Sequence, residues 1–282
     1  MLSLILISCT SNDKDELEND QSFYENNELL DFELFNLANE YILYGELDLA
    51  LVELDKIGVL FPSSAYARKS MLVTAYINFL KEDYEKTRAI SENYKKYYPG
   101  SKDIVYAKYL DAMTYYILIK KENYSQKNSY ISKDKFKFIL NAYPNSAYEI
   151  DIMTKINLID NKIALNKLST AKYYLDKDNI NGSLVYLKEI YEDYSSSVVI
   201  EETLYYLSKI YFELEELELS KYYASILAYN YPKSKWYTKS YNLINDLIEE
   251  EEDNWIEKFN PIKIFKQEKV DNSKNTTIQP IE

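Results

Sequence analysis

Apolar residues recur along this chain at helical spacing, and the helical pattern is interrupted at regular intervals. At each interruption an aromatic residue is followed by proline or, in one case, by serine. Because proline cannot continue a helix, each interruption marks the end of one. We therefore expect five helical units along the chain. Their closing positions are Phe61-Pro62, Tyr98-Pro99, Tyr143-Pro144, Tyr194-Ser195 and Tyr231-Pro232.

Within each unit, small residues lie where two antiparallel helices would approach each other. This is the pattern of the tetratricopeptide repeat, a helical hairpin of about 34 residues. It predicts an all-α fold in which five repeats form a right-handed solenoid. The alternative is a helical domain with incidental self-similarity. The small pairs are Ala38 and Ala50, Ala75 and Thr87, Ala112 and Ser132, Ala171 and Ser183, and Ser208 and Ser220.

Two of the units depart from the regular pattern. A polar insertion, Lys120–Ser129, separates the two helices of the third unit, and an unbroken helix is expected from Tyr148 to Leu175 in the fourth. The repeats therefore divide into an N-terminal group over 31–147 and a C-terminal group over 148–248. An acidic and polar tail follows over 249–282, and we expect part of it to be disordered.

The N-terminus resembles a bacterial lipobox. An apolar run over residues 1–8 ends in Leu6-Ile7-Ser8, directly before Cys9, and a polar segment follows. This pattern predicts a short signal peptide, a diacylated (palmitate-type) Cys9 and a flexible tether over 9–30. No basic residue precedes the apolar run, so the alternatives are a start site further upstream or a chance cysteine. No stretch reaches the roughly 20 apolar residues of a membrane span.

Composition narrows the chemistry further. The chain contains 31 Tyr, only 4 Gly and no His, and its net charge is −13. Without His there can be no imidazole-based triad and no His-ligated metal site, and the acidic charge disfavours nucleic acid. No nucleophile–base pair is evident, so we expect neither an enzyme nor a bound cofactor or metal. A carboxylate-only active site is the enzymatic alternative.

Four stretches carry a resemblance to a known family. Over residues 30–245 the chain resembles the BamD-type outer-membrane assembly lipoproteins, which also have an insertion in the third repeat. The resemblance implies a non-enzymatic scaffold, lipid-anchored at the periplasmic face of the outer membrane. A periplasmic repeat adaptor in cell-envelope or cell-division organisation is the alternative. The stretches are Tyr-Pro-Gly-Ser at 98–101, Tyr-Ala-Lys-Tyr-Leu-Asp-Ala-Met-Thr-Tyr-Tyr at 106–116, Tyr-Pro-Asn-Ser-Ala-Tyr at 143–148 and Asn-Tyr-Pro-Lys-Ser-Lys-Trp-Tyr at 230–237.

The resemblance also implies partners. They are the periplasmic polypeptide-transport domains of the barrel-forming assembly subunit, other assembly lipoproteins, and unfolded outer-membrane proteins. The N-terminal repeats would bind the C-terminal targeting strand of these clients, and the C-terminal repeats would bind the assembly subunit. For the second contact the family uses a polar stretch on the long helix, here Asp160, Asn161 and Lys162. A solvated helix face is the alternative for these three residues.

The groove residues follow from the helical register. The first helix of each repeat lines the concave face, so its residues not needed for packing should face a ligand. Aromatic side chains there would suit a strand ending in an aromatic residue. For each, a place in the core is the alternative. The candidates are Asn39, Ile42, Tyr76, Phe79, Tyr109, Met113 and Tyr116.

Overall fold

A computed structural model describes residues 30–119 and 126–245, and the regular elements in these ranges are all α-helices. The all-α prediction is therefore confirmed for the described residues. The helices are α1 (30–43), α2 (Leu47–Leu60), α3 (Ala65–Leu80), α4 (Tyr84–Tyr97), α5 (Ile104–Leu118), α6 (Lys127–Ala142), α7 (Glu149–Leu175), α8 (Ile180–Asp193), α9 (Ile200–Glu213), α10 (Leu217–Asn230) and α11 (Lys235–Asn245).

The chain forms two compact units, Met1–Ile152 and Met153–Glu282. The first contains α1–α6 and the first residues of α7, and consecutive helices pack against each other from α2 to α6. The second contains the remainder of α7 and α8–α11, in which α9 packs against α8, α10 and α11. The long helix expected from Tyr148 to Leu175 is confirmed as α7, with Tyr148 in the turn before it.

All five predicted interruptions coincide with helix ends, after α2, α4, α6, α8 and α10. In each, the N–H of the aromatic residue donates to the carbonyl four residues earlier, as Phe61 does to Ile57 at 2.9 Å. A serine stands three residues after every aromatic. In two of these turns its hydroxyl caps the next helix, because Ser64 Oγ accepts from Tyr66 N–H at 2.9 Å and Ser234 Oγ from Trp236 N–H at 3.1 Å. The same short motif thus ends one helix and begins another.

The turns inside the hairpins use left-handed backbone. Gly45, Glu82, Asp178 and Glu215 have φ between 55° and 79°. In each turn the next residue's N–H donates to a carbonyl five residues earlier at 2.8–2.9 Å. This is the Schellman arrangement, which satisfies the free carbonyls at a helix end.

The small-residue pairs lie where the hairpin helices meet. In the first unit, Ala38 and Ala50 are fully buried in a cluster with Leu54, Ile57 and Ile77. In the next hairpin, Thr87 Oγ1 donates to the Ala75 carbonyl at 3.3 Å. Close helix approach therefore combines small side chains with hydroxyl-to-backbone hydrogen bonds.

The second unit uses the same device. Ser220 Oγ donates to the Ser208 carbonyl at 2.9 Å, and both residues are fully buried. Ion pairs join α7 to its neighbours, because Lys172 contacts Glu202 at 2.7 Å and Lys167 contacts Glu189 at the same distance.

One predicted boundary is wrong. The polar insertion was expected to extend to Ser129, but α6 begins at Lys127 and Ser129 is buried. The tether prediction likewise extends one residue too far, because residue 30 is already helical. Cys9, the signal peptide, most of the tether, residues 120–125 and the tail over 249–282 lie outside the described residues.

Candidate functional site

Three tyrosines of the first unit stack where α5 and the turn before α7 meet, and Tyr76 of α3 lies near Tyr106. We call Tyr76, Tyr106, Tyr109 and Tyr148 the tyrosine cluster. Tyr148 stacks on Tyr109, with ring centroids 4.6 Å apart and planes inclined by 21°, and on Tyr106 at 6.0 Å and 25°. The ring of Tyr76 is 38% exposed, while the other three are half-buried. The cluster therefore combines three stacked, half-buried rings with one more exposed tyrosine.

Asp151 of α7 fixes the orientation of the cluster. Tyr109 Oη donates a hydrogen bond to its Oδ2 at 2.6 Å. Burial, followed by this carboxylate, raises the pKa of Tyr109 far above the ordinary value. Burial also raises the pKa of Tyr106 to about 12, with further contributions from Tyr148 and Tyr76. Tyr106 and Tyr109 are thus neutral near pH 7, so neither can act as a base there.

The structure brings together some of the predicted groove residues. Tyr76 and Tyr109 belong to the cluster, and Tyr116 shares a contact with it through Phe136, whose ring lies 6.2 Å from both Tyr109 and Tyr116. Phe79 instead packs on Tyr84 at 5.7 Å, inside its own hairpin.

The remaining three predicted groove residues stand apart. Ile42 packs against the buried cluster around Ala38. Among the described residues, no ring contact or hydrogen bond joins Asn39, Ile42 or Met113 to the tyrosine cluster.

Sequence reasoning missed Tyr106, Tyr148 and Asp151. Tyr106 and Tyr109 are three residues apart on α5 and so share a face, a spacing that could have identified the pair. Tyr148 and Asp151 are brought to that face only by the turn between α6 and α7, and no local pattern predicts this.

In the second unit, the predicted partner stretch lies in the middle of α7. Asn161 Oδ1 accepts from the backbone N–H of Val198 at 2.7 Å, and its Nδ2 donates to the Asn157 carbonyl at 3.0 Å. Asn161 therefore holds the segment before α9 against α7. Asp160 and Lys162 flank it and are half-buried.

Apolar side chains surround this stretch. Leu158 and Leu165 are 54% and 49% exposed, and they share a helix face with Asn161 because the three residues are spaced at i, i+3 and i+7. Val198, 72% exposed, is held beside them by its bond to Asn161. We call Leu158, Leu165 and Val198 the apolar patch.

In the described ranges there is no group of three or more potential metal-ligating His, Cys, Asp or Glu side chains. Nor does any described helix have the length and apolarity needed to cross a membrane.

One family model and several named proteins are similar to this chain. The family model for YfiO, described as outer membrane lipoprotein, matches residues 28–227. A Rickettsia prowazekii protein named outer membrane protein assembly factor BamD is 34% identical over 197 residues, covering 70% of this chain and 78% of that protein.

Two further proteins carry the same name at lower identity. The Caulobacter vibrioides protein is 26% identical over 185 residues, 66% of this chain and 61% of its own length. The Neisseria gonorrhoeae protein is 26% identical over 195 residues, 64% of this chain and 72% of its own length. Among solved structures, the type IV pilus biogenesis factor PilW aligns with 74% of this chain and 97% of its own, at 16% identity and a TM-score of 0.36.

Proposed function

Because this chain belongs to the YfiO family of outer membrane lipoproteins, we propose that it is a lipid-anchored scaffold for outer-membrane protein assembly. In this proposal Cys9 carries the lipid, and the protein lies at the periplasmic face of the outer membrane. Its relatives are named as assembly factors. The role is therefore binding and positioning of other proteins, without catalysis.

The proposal includes the architecture of five tetratricopeptide repeats in a right-handed solenoid. It is supported by the recurrence of two turn types: an aromatic residue followed three positions later by serine, and a left-handed residue within a hairpin. Buried small pairs between hairpin helices recur in the same order.

The tyrosine cluster is the observation that carries the client-binding part of the proposal. We assign to it the C-terminal targeting strand of unfolded outer-membrane proteins. An extended strand exposes alternate side chains, and an aromatic one could stack on Tyr148 or Tyr109. Burying such an anchor contributes about 1.5–3 kcal/mol of transfer free energy. The phenol of Tyr106 would donate a hydrogen bond to a backbone carbonyl of the strand, while that of Tyr109 stays bonded to Asp151.

Photocrosslinking tests this site. A peptide with a C-terminal aromatic residue and a photoreactive group should label the first unit, and Tyr76→Ala with Tyr109→Ala should reduce labelling several-fold. Tyr44→Ala with Tyr97→Ala removes two exposed tyrosines from outside the cluster and is the matched control. Equal labelling of the folded cluster variant and the wild type would reject the assignment.

The polar stretch in the middle of α7 and the apolar patch beside it support the partner-binding part of the proposal. We assign Asp160, Asn161 and Lys162, together with the apolar patch, to the barrel-forming assembly subunit and its polypeptide-transport domains. An apolar centre with a polar rim is the usual anatomy of a protein interface. Lys162 offers a point charge without the bidentate geometry of arginine. Other assembly lipoproteins would bind elsewhere on the chain.

Affinity purification from envelope extracts tests this part. The tagged chain should recover a protein with polypeptide-transport domains, and Leu158→Asp with Leu165→Asp should abolish that recovery. Val185→Asp, at an exposed apolar position of α8, is the control. Recovery of only peptidoglycan-associated or division proteins would favour the adaptor role instead.

A further inference from the structure

Positive charge is concentrated in one part of this acidic protein. Residues 84–142 contain twelve Lys and Arg against six Asp and Glu, a net charge of +6. Since the whole chain carries −13, the rest of it carries −19. Such segregation within one unit creates a local field of opposite sign to that of the molecule.

Part of this charge is gathered around α5. We define the basic cluster as Arg88 and Lys95 of α4, Lys108 of α5 and Lys135 of α6. Lys135 Nζ lies 2.8 Å and Lys95 Nζ 3.5 Å from the same oxygen of Asp111, whose side chain is only 5% exposed. Lys95 also pairs with Glu92. Two helices, α4 and α6, thus direct cations toward one buried carboxylate of α5.

Two of these cations contact no carboxylate among the described residues. Arg88 donates to Thr114 Oγ1 at 3.3 Å and lies 5.0 Å from the centre of the Tyr115 ring. Lys108 lies 4.7 Å from the centre of the Phe138 ring. Burial lowers the pKa of Lys108, and the neighbouring Lys95 lowers it further. With four cations against Asp111 and Glu92, the cluster has an excess of two positive charges.

We propose that the basic cluster binds this chain's own acidic segment, residues 10–29. That segment contains seven Asp and Glu and one Lys. Its net charge of −6 is equal and opposite to the +6 of residues 84–142. It lies outside the described residues and joins α1 at residue 30. Carboxylates of the segment would pair with Arg88 and Lys108, which contact no carboxylate in the part of the unit that the structure describes.

The length of the segment permits this contact. Its last 17 residues, 13–29, can span up to about 60 Å when extended. A compact unit of the size of residues 30–152 has a radius of gyration of about 14 Å. Because segment and cluster belong to the same unit, binding is intramolecular, and effective concentrations for short flexible connections reach the millimolar range.

Burial of the cations favours a polypeptide over a flat membrane surface. Arg88 and Lys108, the two cations without a carboxylate contact among the described residues, are half-buried, and only 17% of the neighbouring Lys95 side chain is exposed. Individual carboxylates on a chain can reach recessed cations, whereas phosphates in a planar bilayer reach those that project outward. This inference concerns the isolated chain and does not depend on the proposed client or partner.

Carbodiimide crosslinking, which joins carboxylates to amines in contact, tests the proposal on the full-length protein. At low salt we expect links from carboxylates of residues 13–28 to Lys95, Lys108 or Lys135, mapped by mass spectrometry. Their yield should not depend on protein concentration and should fall several-fold in 0.5 M NaCl, because salt screens exposed charges. Arg88→Gln with Lys108→Gln should reduce the links to Lys95 and Lys135 by a similar factor.

Matched controls make the result decisive. Lys56→Gln with Lys69→Gln removes two cations of the same unit that lie outside residues 84–142, and it should leave the links unchanged. Thermal unfolding should show that both double variants are folded. The proposal is overturned if links come from residues 246–253 or from a second copy in a concentration-dependent manner. It is also overturned if the Arg88→Gln, Lys108→Gln protein gives the wild-type yield, or if vesicles of anionic lipid abolish the links while an equal concentration of neutral vesicles does not.

Discussion

Three charged residues, Glu82, Asp178 and Glu215, adopt left-handed backbone that glycine occupies at the equivalent Gly45. A side chain costs about 1–2 kcal/mol in this conformation, because Cβ approaches the following carbonyl oxygen. The turns persist because each satisfies helix-end carbonyls with two backbone hydrogen bonds. This explains how a chain with 4 Gly can form repeated tight helical turns.

Alanine substitution at two glycines should change the free energy of unfolding in opposite directions. Gly45→Ala should lower the free energy of unfolding by about 1 kcal/mol, because φ is +79° there. Gly58→Ala, within helix α2, should raise it by about 0.5–1 kcal/mol. A Cβ meets nothing within 4 Å at either site, so backbone conformation alone separates them. Urea unfolding measures both, and changes of the same sign would contradict the explanation.

The raised pKa of Tyr106 makes the free energy of unfolding depend on pH. Its pKa is raised to about 12 in the folded protein, whereas an exposed tyrosine titrates near 10. Because folding favours the neutral phenol, the raised pKa contributes to the free energy of unfolding. This contribution is complete below pH 10 and is lost as the pH rises toward 12. Tyr106→Phe should therefore show a shallower loss of stability between pH 10 and 12. Parallel curves for the two proteins would contradict the burial of this phenol.

At the scale of the element, the hairpin is held together where its two helices come closest. Small side chains permit the approach, and a hydroxyl of the second helix donates to a carbonyl of the first in the hairpins of Thr87, Ser132 and Ser220. Ser183 occupies the equivalent position in another hairpin, but its buried hydroxyl has no hydrogen-bond partner among the described residues. The same residue type thus has different energetic roles at equivalent positions.

Alanine substitution distinguishes these roles. Ser220→Ala should destabilise the protein by about 1 kcal/mol, the usual net value of one hydrogen bond. Ser183→Ala should be neutral or slightly stabilising, since it removes a buried polar atom that makes no such bond. Both sites are fully buried, so the loss of one oxygen is comparable. Equal destabilisation in thermal unfolding would show that Ser183 has a bonding partner after all.

The helices were largely predictable, and their turns were not. Four aromatic-proline pairs, the pair Tyr194-Ser195 and small residues at fixed offsets are local signals, and they located five helix ends and the helix-contact positions. The start of α6 at Lys127 was misplaced because Lys127 and Asn128 are polar residues in the first turn of a helix, where polarity does not distinguish helix from loop. The left-handed turns at Glu82, Asp178 and Glu215 are set by backbone hydrogen bonding, which residue type does not reveal.

At the scale of the whole molecule, two candidate binding surfaces lie in different compact units. The tyrosine cluster belongs to the first unit and the apolar patch to the second. Each is built by contacts within its own unit, such as Tyr109 to Asp151 and Asn161 to Val198. Substitutions in one should therefore leave the other intact, as expected for sites that share no partner residue.

Each pair of substitutions should remove one of the two proposed binding activities and leave the other intact. Tyr76→Ala with Tyr109→Ala should lose peptide crosslinking and retain recovery of the assembly subunit. Leu158→Asp with Leu165→Asp should do the reverse. Both assays are run on one set of purified proteins, with circular dichroism as the test of folding. Loss of both activities in either folded variant would mean that the surfaces are not independent.

The sequence alone predicted that the described chain is helical, where five of its helices end and which family it belongs to, because these depend on local chain stiffness, on periodicity and on short motifs. It also indicated Tyr76 and Tyr109, which follow from helical register. The packing of the helices was needed to show that Tyr106, Tyr148 and Asp151 complete one cluster, that Asn161 holds Val198 against α7, and that Lys95 and Lys135 meet at Asp111. These residues come from different elements, and only the packing of those elements brings them together.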